Sequence, residues 1–226
     1  MLERDKKGFT MDEQLRIKLL GAPAAFLDNE LLSGFVSIKA RALLYFLAAT
    51  GEAHRRDALA ALLWSDVPDA TAKRNLRDIL FNLRQMVDPY LTITRHKAGL
   101  NPDAPTAINS HAFLQALHAV RDMETPTAPA SAAALAALSE AVDRHEGQFL
   151  AGFYAPEAPL FEEWLLAERE HLRSELGQAL ERLVSGYSAR RSYQPAIRYA
   201  LQWSALDPLQ ELPHRALMQL YAADGD

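Results

Sequence analysis

Apolar positions between residues 69 and 87 recur with the period of a helix. At about 100° per residue, Leu76, Ile79, Leu80 and Leu83 fall on one narrow arc, the face that a helix must bury. The opposite arc carries Thr71, Arg74, Asp78, Phe81 and Gln85, flanked by Lys73, Arg77 and Arg84 on one side and by Asn75 and Asn82 on the other. The spacing predicts a helix from Asp69 to Val87. Pro68 and Asp69 offer a stop and an N-cap, and Pro89 forbids continuation past Asp88. Leu91-Thr92-Ile93-Thr94 then alternates as a strand does, Arg95-His96-Lys97 forms a basic tip, and Gly99 reads as a turn residue. Strand, basic tip and return strand make a wing.

The same reading places short strands at Leu15 to Leu20, Ala24 to Leu27 and Leu31-Leu32, with turns at Gly21-Ala22-Pro23 and Asp28-Asn29. Ser37 caps a helix through Lys39 to Ala49 that buries Leu43, Leu44 and Leu47 and stops at Gly51. A second helix, Arg56 to Trp64, buries Leu59, Leu62 and Leu63. Sheet, helix, helix, longer helix and wing is the order of a winged helix-turn-helix, with the third helix as reader.

From Asn109 the period becomes helical throughout. Asn109 or Ser110 caps a helix holding Phe113, Leu114, Leu117 and Val120; TPTAPAS at 125–131 is a loop; Ala132 to His145 is alanine-rich helix. An aromatic and glycine loop after Gly147 enters a long helix, and Ser192 to Leu206 and Glu211 to Ala223 supply two more. Leu176 to Pro208 has the approximate length of a tetratricopeptide unit. The sequence stops at Asp224-Gly225-Asp226, where a repeat's turn would lead into its second helix. A truncated end is therefore expected, with apolar surface exposed near Leu217, Leu220 and Tyr221. The expected fold class is mainly α: an N-terminal tail at 1–14, a winged helix-turn-helix domain with a small antiparallel sheet at 15–104, and an all-α tetratricopeptide-like domain at 105–226.

IKLLGAP at 17–23, KARALLYFLA at 39–48, DALAALLW at 57–64 and KRNLRDILFNLRQMV at 73–87 are similar to the SARP group of bacterial transcriptional regulators. In that group an OmpR-like winged helix is joined to a bacterial transcriptional activator domain, and QFLAGFYAPEAPLFEEWLLAEREHLRSELGQALERLV resembles the latter. The wing departs from the family pattern, because Gly99 is followed by Leu100 rather than an aromatic residue. The resemblance implies an activator that binds promoter direct repeats side by side. It also implies that the helical domain contacts the transcription machinery, with RNA polymerase as a candidate partner.

Net charge −5 argues against a nucleic-acid binder until the chain is divided. Residues 1–123 hold 16 Lys+Arg against 14 Asp+Glu, or +2, and residues 124–226 hold 8 against 15, or −7. The acidity lies in the second half. A hydrophobic content of 49% suffices for real cores, and the absence of cysteine excludes disulfides and thiolate metal sites. The charged N-terminus MLERDKKGFTMDEQ does not read as a signal peptide, and no stretch approaches the ~20 apolar residues of a membrane span. A cytoplasmic protein is expected, with no membrane partner.

Chemistry has no visible seat. There is no phosphate loop, dinucleotide glycine pattern or nucleophile elbow. Glu168/His171 and Glu211/His214 have the spacing of di-metal carboxylate sites, but read better as parts of charged helix faces. His111 and His118 lack a Glu partner in zincin spacing and read as surface or core histidines. Phe149, Phe153, Tyr154, Phe161 and Trp164 form either a ligand cage or, more commonly at such spacing, the packed entrance to a helical core. Neither enzyme activity nor a cofactor is expected.

The candidates for base contact are Thr71, Arg74 and Arg77, and those for phosphate contact are Lys73, Arg84, Arg95 and Lys97. Asp78 either accepts from a cytosine amino group or pairs with Arg74 at i,i+4, the pair being favoured. Phe81 touches thymine methyls, packs on the second domain or makes a dimer contact. The expected function is a sequence-specific DNA-binding regulator, acting on double-stranded DNA as a homo-oligomer or as tandem copies. The alternative is a protein-interaction scaffold with a vestigial winged helix.

Overall fold

A computed structural model describes residues 14–122 and 131–225. The N-terminal tail expected at 1–14, all of it but Gln14, and most of the loop at 125–131 lie outside the described residues. Chain contacts divide the molecule into two compact units: residues 1–110 with 149–167, and residues 111–148 with 168–226. The units are therefore interleaved in sequence.

In the first unit, strands β1 (Leu15–Lys18), β2 (Ala24–Leu27) and β3 (Glu30–Leu31) form an antiparallel meander. Its tight turn is made by Asp28 and Asn29, whose φ values of 52° and 68° suit the left-handed residues of a two-residue hairpin. Helix α1 (Ile38–Thr50) follows, with the Ser37 hydroxyl accepting from the Ala40 amide and Gly51 closing it at φ 65°. Strand β4 (His54–Arg55) leads into α2 (Arg56–Leu63), then α3 (Asp69–Val87), then β5 (Leu91–Ile93) and β6 (Lys97–Leu100). Two features go beyond the expected antiparallel meander. Strand β7 (Thr106–Ile108) runs parallel to β1, giving the sheet order β3-β2-β1-β7, and β4 adds an edge to the wing, giving β4-β6-β5.

The side chain of Asn109, expected with Ser110 as one of two candidate caps of the following helix, turns to the end of β1. Its Oδ1 accepts from the Leu19 amide at 2.7 Å and the Leu20 amide at 3.0 Å, and its Nδ2 donates to the Leu20 carbonyl at 3.2 Å. The segment after Gly147 reaches the same place, where the Leu150 amide donates to the Leu19 carbonyl and the Ala151 amide to the Gly21 carbonyl. The aromatic cluster there is core. Phe149, Phe153 and Phe161 are buried, Tyr45 meets Phe153 edge-on at 5.3 Å, and Phe46 meets Trp164 at 4.8 Å. Tyr154 is the exception and is exposed.

The second unit is helical. Helix α4 (Asn109–Asp122) begins at the boundary of the two units, and Phe113, Leu117 and Val120 are buried. Helix α5 (Ala132–Asp143) is capped by Ser131, whose hydroxyl accepts from the Ala134 amide. Helix α6 (Pro159–Ala189), whose residues to 167 belong to the first unit, α7 (Tyr193–Leu206) and α8 (Glu211–Asp224) complete the order. Arg173 ties α6 to the turn after α7 through Asp207 at 3.1 Å. The expected exposed surface on α8 is corrected in detail. Leu220 is buried and Leu217 half-buried, whereas Leu212, Met218 and Tyr221 are exposed, together with Leu209 in the preceding turn. Glu211 pairs with Arg215 and the His214 ring bonds the Pro208 carbonyl, so neither group of that motif faces a shared acidic site.

Asn109→Ala removes three bonds at once and strands two amide donors at the end of β1. We expect a loss of about 2–4 kcal/mol, read as a lower urea midpoint with an unchanged slope; a midpoint equal to that of the parent would contradict this role.

Candidate nucleic-acid interface

Helix α3 is positioned by its apolar arc. Leu76, Ile79, Leu80 and Leu83 are between 0% and 4% exposed, packed toward α1 and α2. Each such side chain contributes about 1.5–3 kcal/mol by leaving water, so the rotation of the helix about its axis is set. The polar arc consequently faces outward, with Arg74, Arg77, Asp78, Phe81 and Gln85 exposed. Thr71 is half-buried in the first turn, where its amide donates to the Pro68 carbonyl.

Helix α3 has the expected bounds, but its cap differs from expectation. Pro68 is the cap residue and makes no side-chain cap bond, while Asp69 is the first helical residue. The Asp69 carboxylate holds the Lys73 ammonium at 2.7 Å, and Asp57 of α2 approaches the same ammonium at 3.4 Å. The Asp57 carboxyl is held below the usual carboxylate range, chiefly by the Lys73 charge, and Lys73 is correspondingly raised. Lys73 thus points to α2 rather than standing free. Asp78, expected to pair with Arg74, makes no such pair among the described residues, and neither Arg74 nor Arg77 has an ion partner there. Arg84 lies 3.8 Å from Asp88. Asn82 is engaged with the loop before α1, so it is not available to a base edge.

The wing closes as expected, but its turn lies at Thr94 to Lys97. The Thr94 hydroxyl accepts from the Lys97 and His96 amides, and the Thr94 amide donates to the Lys97 carbonyl. Gly99 is inside β6 rather than in a turn. A Cβ there would lie 2.7 Å from the Ala53 Cα and 2.8 Å from the Glu52 carbonyl, so glycine is what lets the chain before β4 pass close to β6.

That pass brings Arg55 directly opposite Lys97. Like charges across a strand pair oppose folding, and here they belong to a larger group. Arg55, Arg56, Arg95, His96 and Lys97, with Asp57, line an open recess of about 310 Å³. Arg56 is held in place by its amide to the His96 carbonyl at 2.9 Å and its guanidinium to the Thr94 carbonyl at 3.4 Å. Arg55 and Arg56 join the candidates Arg95 and Lys97 here, although helical and wing patterning does not single them out. Their signal was the run His54-Arg55-Arg56, which is basic but lies outside the reader helix and the wing tip.

His54 supports this edge from behind, its ring 4.8 Å from Phe46 and its Nε2 2.8 Å from the Thr50 hydroxyl. The same hydroxyl lies 3.1 Å from the Phe46 carbonyl, to which it donates. Burial pushes the His54 imidazole below the ordinary histidine value, against a smaller opposing effect of Glu52.

Residues 109–226 match the family model of the bacterial transcriptional activator domain, and this chain belongs to that family. The family is one of transcription regulators, and with a winged helix ahead of the domain the chain is of the SARP type. The fold is similar to that of Mycobacterium tuberculosis EmbR, solved in complex with a low-affinity phosphopeptide, at a TM-score of 0.69 and 19% identity. The match covers 94% of this chain and 55% of EmbR, so this chain spans about half the length of that protein. No curated protein matches. Among the described residues no helix is long and apolar enough to cross a membrane.

The sign of the His54 shift defines a pH dependence. The neutral ring is favoured in the fold, so the unfolded chain binds more protons below the ordinary histidine value, and stability falls as pH drops through it. His145, also lowered by burial, acts in the same direction. Urea midpoints should therefore decline between about pH 7.5 and 5.5, and His54→Gln should flatten that decline; an identical decline in the variant would contradict the assignment.

Proposed function

We propose that this chain is a sequence-specific DNA-binding transcriptional regulator, an activator at promoter direct repeats. Residues 15–104 bind double-stranded DNA, and residues 105–226 act on the transcription machinery from the cytoplasm. The observation that carries the reading is the shared exposure of two cationic features. One is the outward arc of α3 with the unpaired Arg74 and Arg77, and the other is the recess that gathers Arg55, Arg56, Arg95 and Lys97 around a single carboxylate, Asp57, paired with Arg55 at 3.4 Å. A polyanion with charges at regular spacing relieves the repulsion among these cations, and duplex DNA is such a polyanion.

Arg74 and Arg77 are the base-contact residues, together with Thr71, which is half-buried in the first turn. Arg84, Arg95 and Lys97 contact phosphates, joined by Arg55 and Arg56. Lys73 is a weaker phosphate contact than the others because it is already held by Asp57 and Asp69.

A second reading, the protein-interaction scaffold, draws on the helical unit. A groove of about 460 Å³ between α6, α7 and α8 is lined by Val184, Trp203, Leu212, Leu220 and Glu181 among others. Both readings are addressed by selecting genomic fragments with the parent and with an Arg74→Ala/Arg77→Ala double variant at about 150 mM salt. The parent should recover a repeated site and the variant should lose it, with thermal unfolding unchanged because both side chains are exposed. Recovery of the same site by both would remove Arg74 and Arg77 from base contact, and recovery of no site by either favours the scaffold. If about five phosphates are neutralised, log affinity falls with log salt at a slope of roughly −4 to −5, and Arg55→Ala/Arg56→Ala should make the slope shallower by about 2. A salt-independent affinity would contradict the assignment.

A further inference from the structure

We propose that Phe81 is a specificity-determining residue of the DNA site and that it reads the C5-methyl group of a thymine. The inference rests on α3 being the reader helix. Among the described phenylalanines, Phe81 alone is exposed, at 64%, while the others are buried or half-buried. A phenyl ring of this size gives up substantial stabilisation by facing water, and the position is not a helix end, where fraying would explain it. On the helix wheel Phe81 sits at the middle of the outward arc, one turn beyond Arg77 and Asp78 and one turn before Gln85.

The rim beside it is fixed. The neighbouring Asn82 accepts from the Val36 amide at 3.2 Å and donates to the Gly34 carbonyl at 3.2 Å. These bonds hold the loop before α1 against the flank of α3, and they leave the Phe81 ring uncovered. The ring therefore meets whatever the outward arc meets.

A phenyl ring neither donates nor accepts a conventional hydrogen bond, so it cannot use the donor and acceptor pattern of base edges. The apolar feature that the major groove offers is the thymine methyl group. Arg77 and Phe81 are four residues apart, a rise of about 6 Å along the helix, or roughly two steps of about 3.4 Å along a DNA strand. The chemistry therefore calls for a thymine about two base pairs from the base that Arg77 contacts. Asp78, without an ion partner among the described residues, lies on the same arc and accepts from a donor such as a cytosine amino group.

The test uses the duplex recovered by genomic selection, remade with deoxyuridine at each thymine in turn, so that single methyl groups are deleted without change of base pairing. Affinities are measured for the full chain and for Phe81→Ala. The parent should weaken about fourfold at one thymine position per half-site, the ratio expected for burial of one methyl-sized group, and Phe81→Ala should be indifferent to that deletion. A Phe81→Gln variant, carried through selection from a random library, should shift preference at the same position from thymine toward adenine, whose edge matches an amide.

Equal responses of parent and Phe81→Ala to every methyl deletion would overturn the assignment while leaving DNA binding intact. Failure of the parent to bind any duplex would overturn both the DNA reading and this one. A Phe81→Ala variant that loses self-association or melts earlier, with an unchanged methyl response, would also overturn the proposal and assign the ring to protein packing.

Discussion

The constraint on which the rest depends is the burial of a narrow apolar arc on α3. Leu76, Ile79, Leu80 and Leu83 leave no freedom for the helix to roll, because turning it would expose several large side chains and bury arginines without partners. Everything on the opposite arc is therefore presented as a rigid set. The order of Arg74, Arg77, Asp78, Phe81 and Gln85 along that face is a consequence of packing on the other one. A reader helix needs this arrangement, since side-chain positions must match base steps to within a fraction of their spacing.

Around α3 the first unit is assembled from distant parts of the chain. Strand β1 is sandwiched between β2 and β7, and its far end is tied by Asn109 and by the backbone around Leu150. Gly99 permits β4 to join the wing, and that junction is what brings Arg55 and Arg56 beside the wing tip. The cationic recess is thus a product of long-range strand pairing, even though each of its residues lies in a short local motif. The aromatic segment Phe149 to Trp164 belongs to this unit by its packing on Tyr45 and Phe46, although the family match places it within the activator domain.

The fold was legible where it follows from local periodicity. The bounds of α3, the Ser37 cap, the Gly51 stop and the Asp28-Asn29 turn all follow from residues within a few positions of one another. What was not legible depends on partners far away in sequence. Asn109 reads as a cap from its neighbours alone, and Gly99 reads as a turn, because the strand and backbone that need them are about 90 and 46 residues distant. Lys73 is half such a case: its i,i+4 pair with Asp69 follows from helical spacing, whereas the second carboxylate on it, Asp57 from α2, does not. On α8, Leu220 is covered by packing that the amphipathic pattern left undecided, while Met218 and Tyr221 remain exposed.

The central claim is that the outward arc of α3 and the β4-wing edge form one DNA-binding face. A titration of the labelled chain with its selected duplex, followed by amide chemical shifts at about 150 mM salt, tests it most directly. The account predicts that the large shifts cluster at 71–85, 54–57 and 94–98, with the buried arc and α5, α7 and α8 little changed. Shifts concentrated on α6 to α8, with α3 silent, would contradict it.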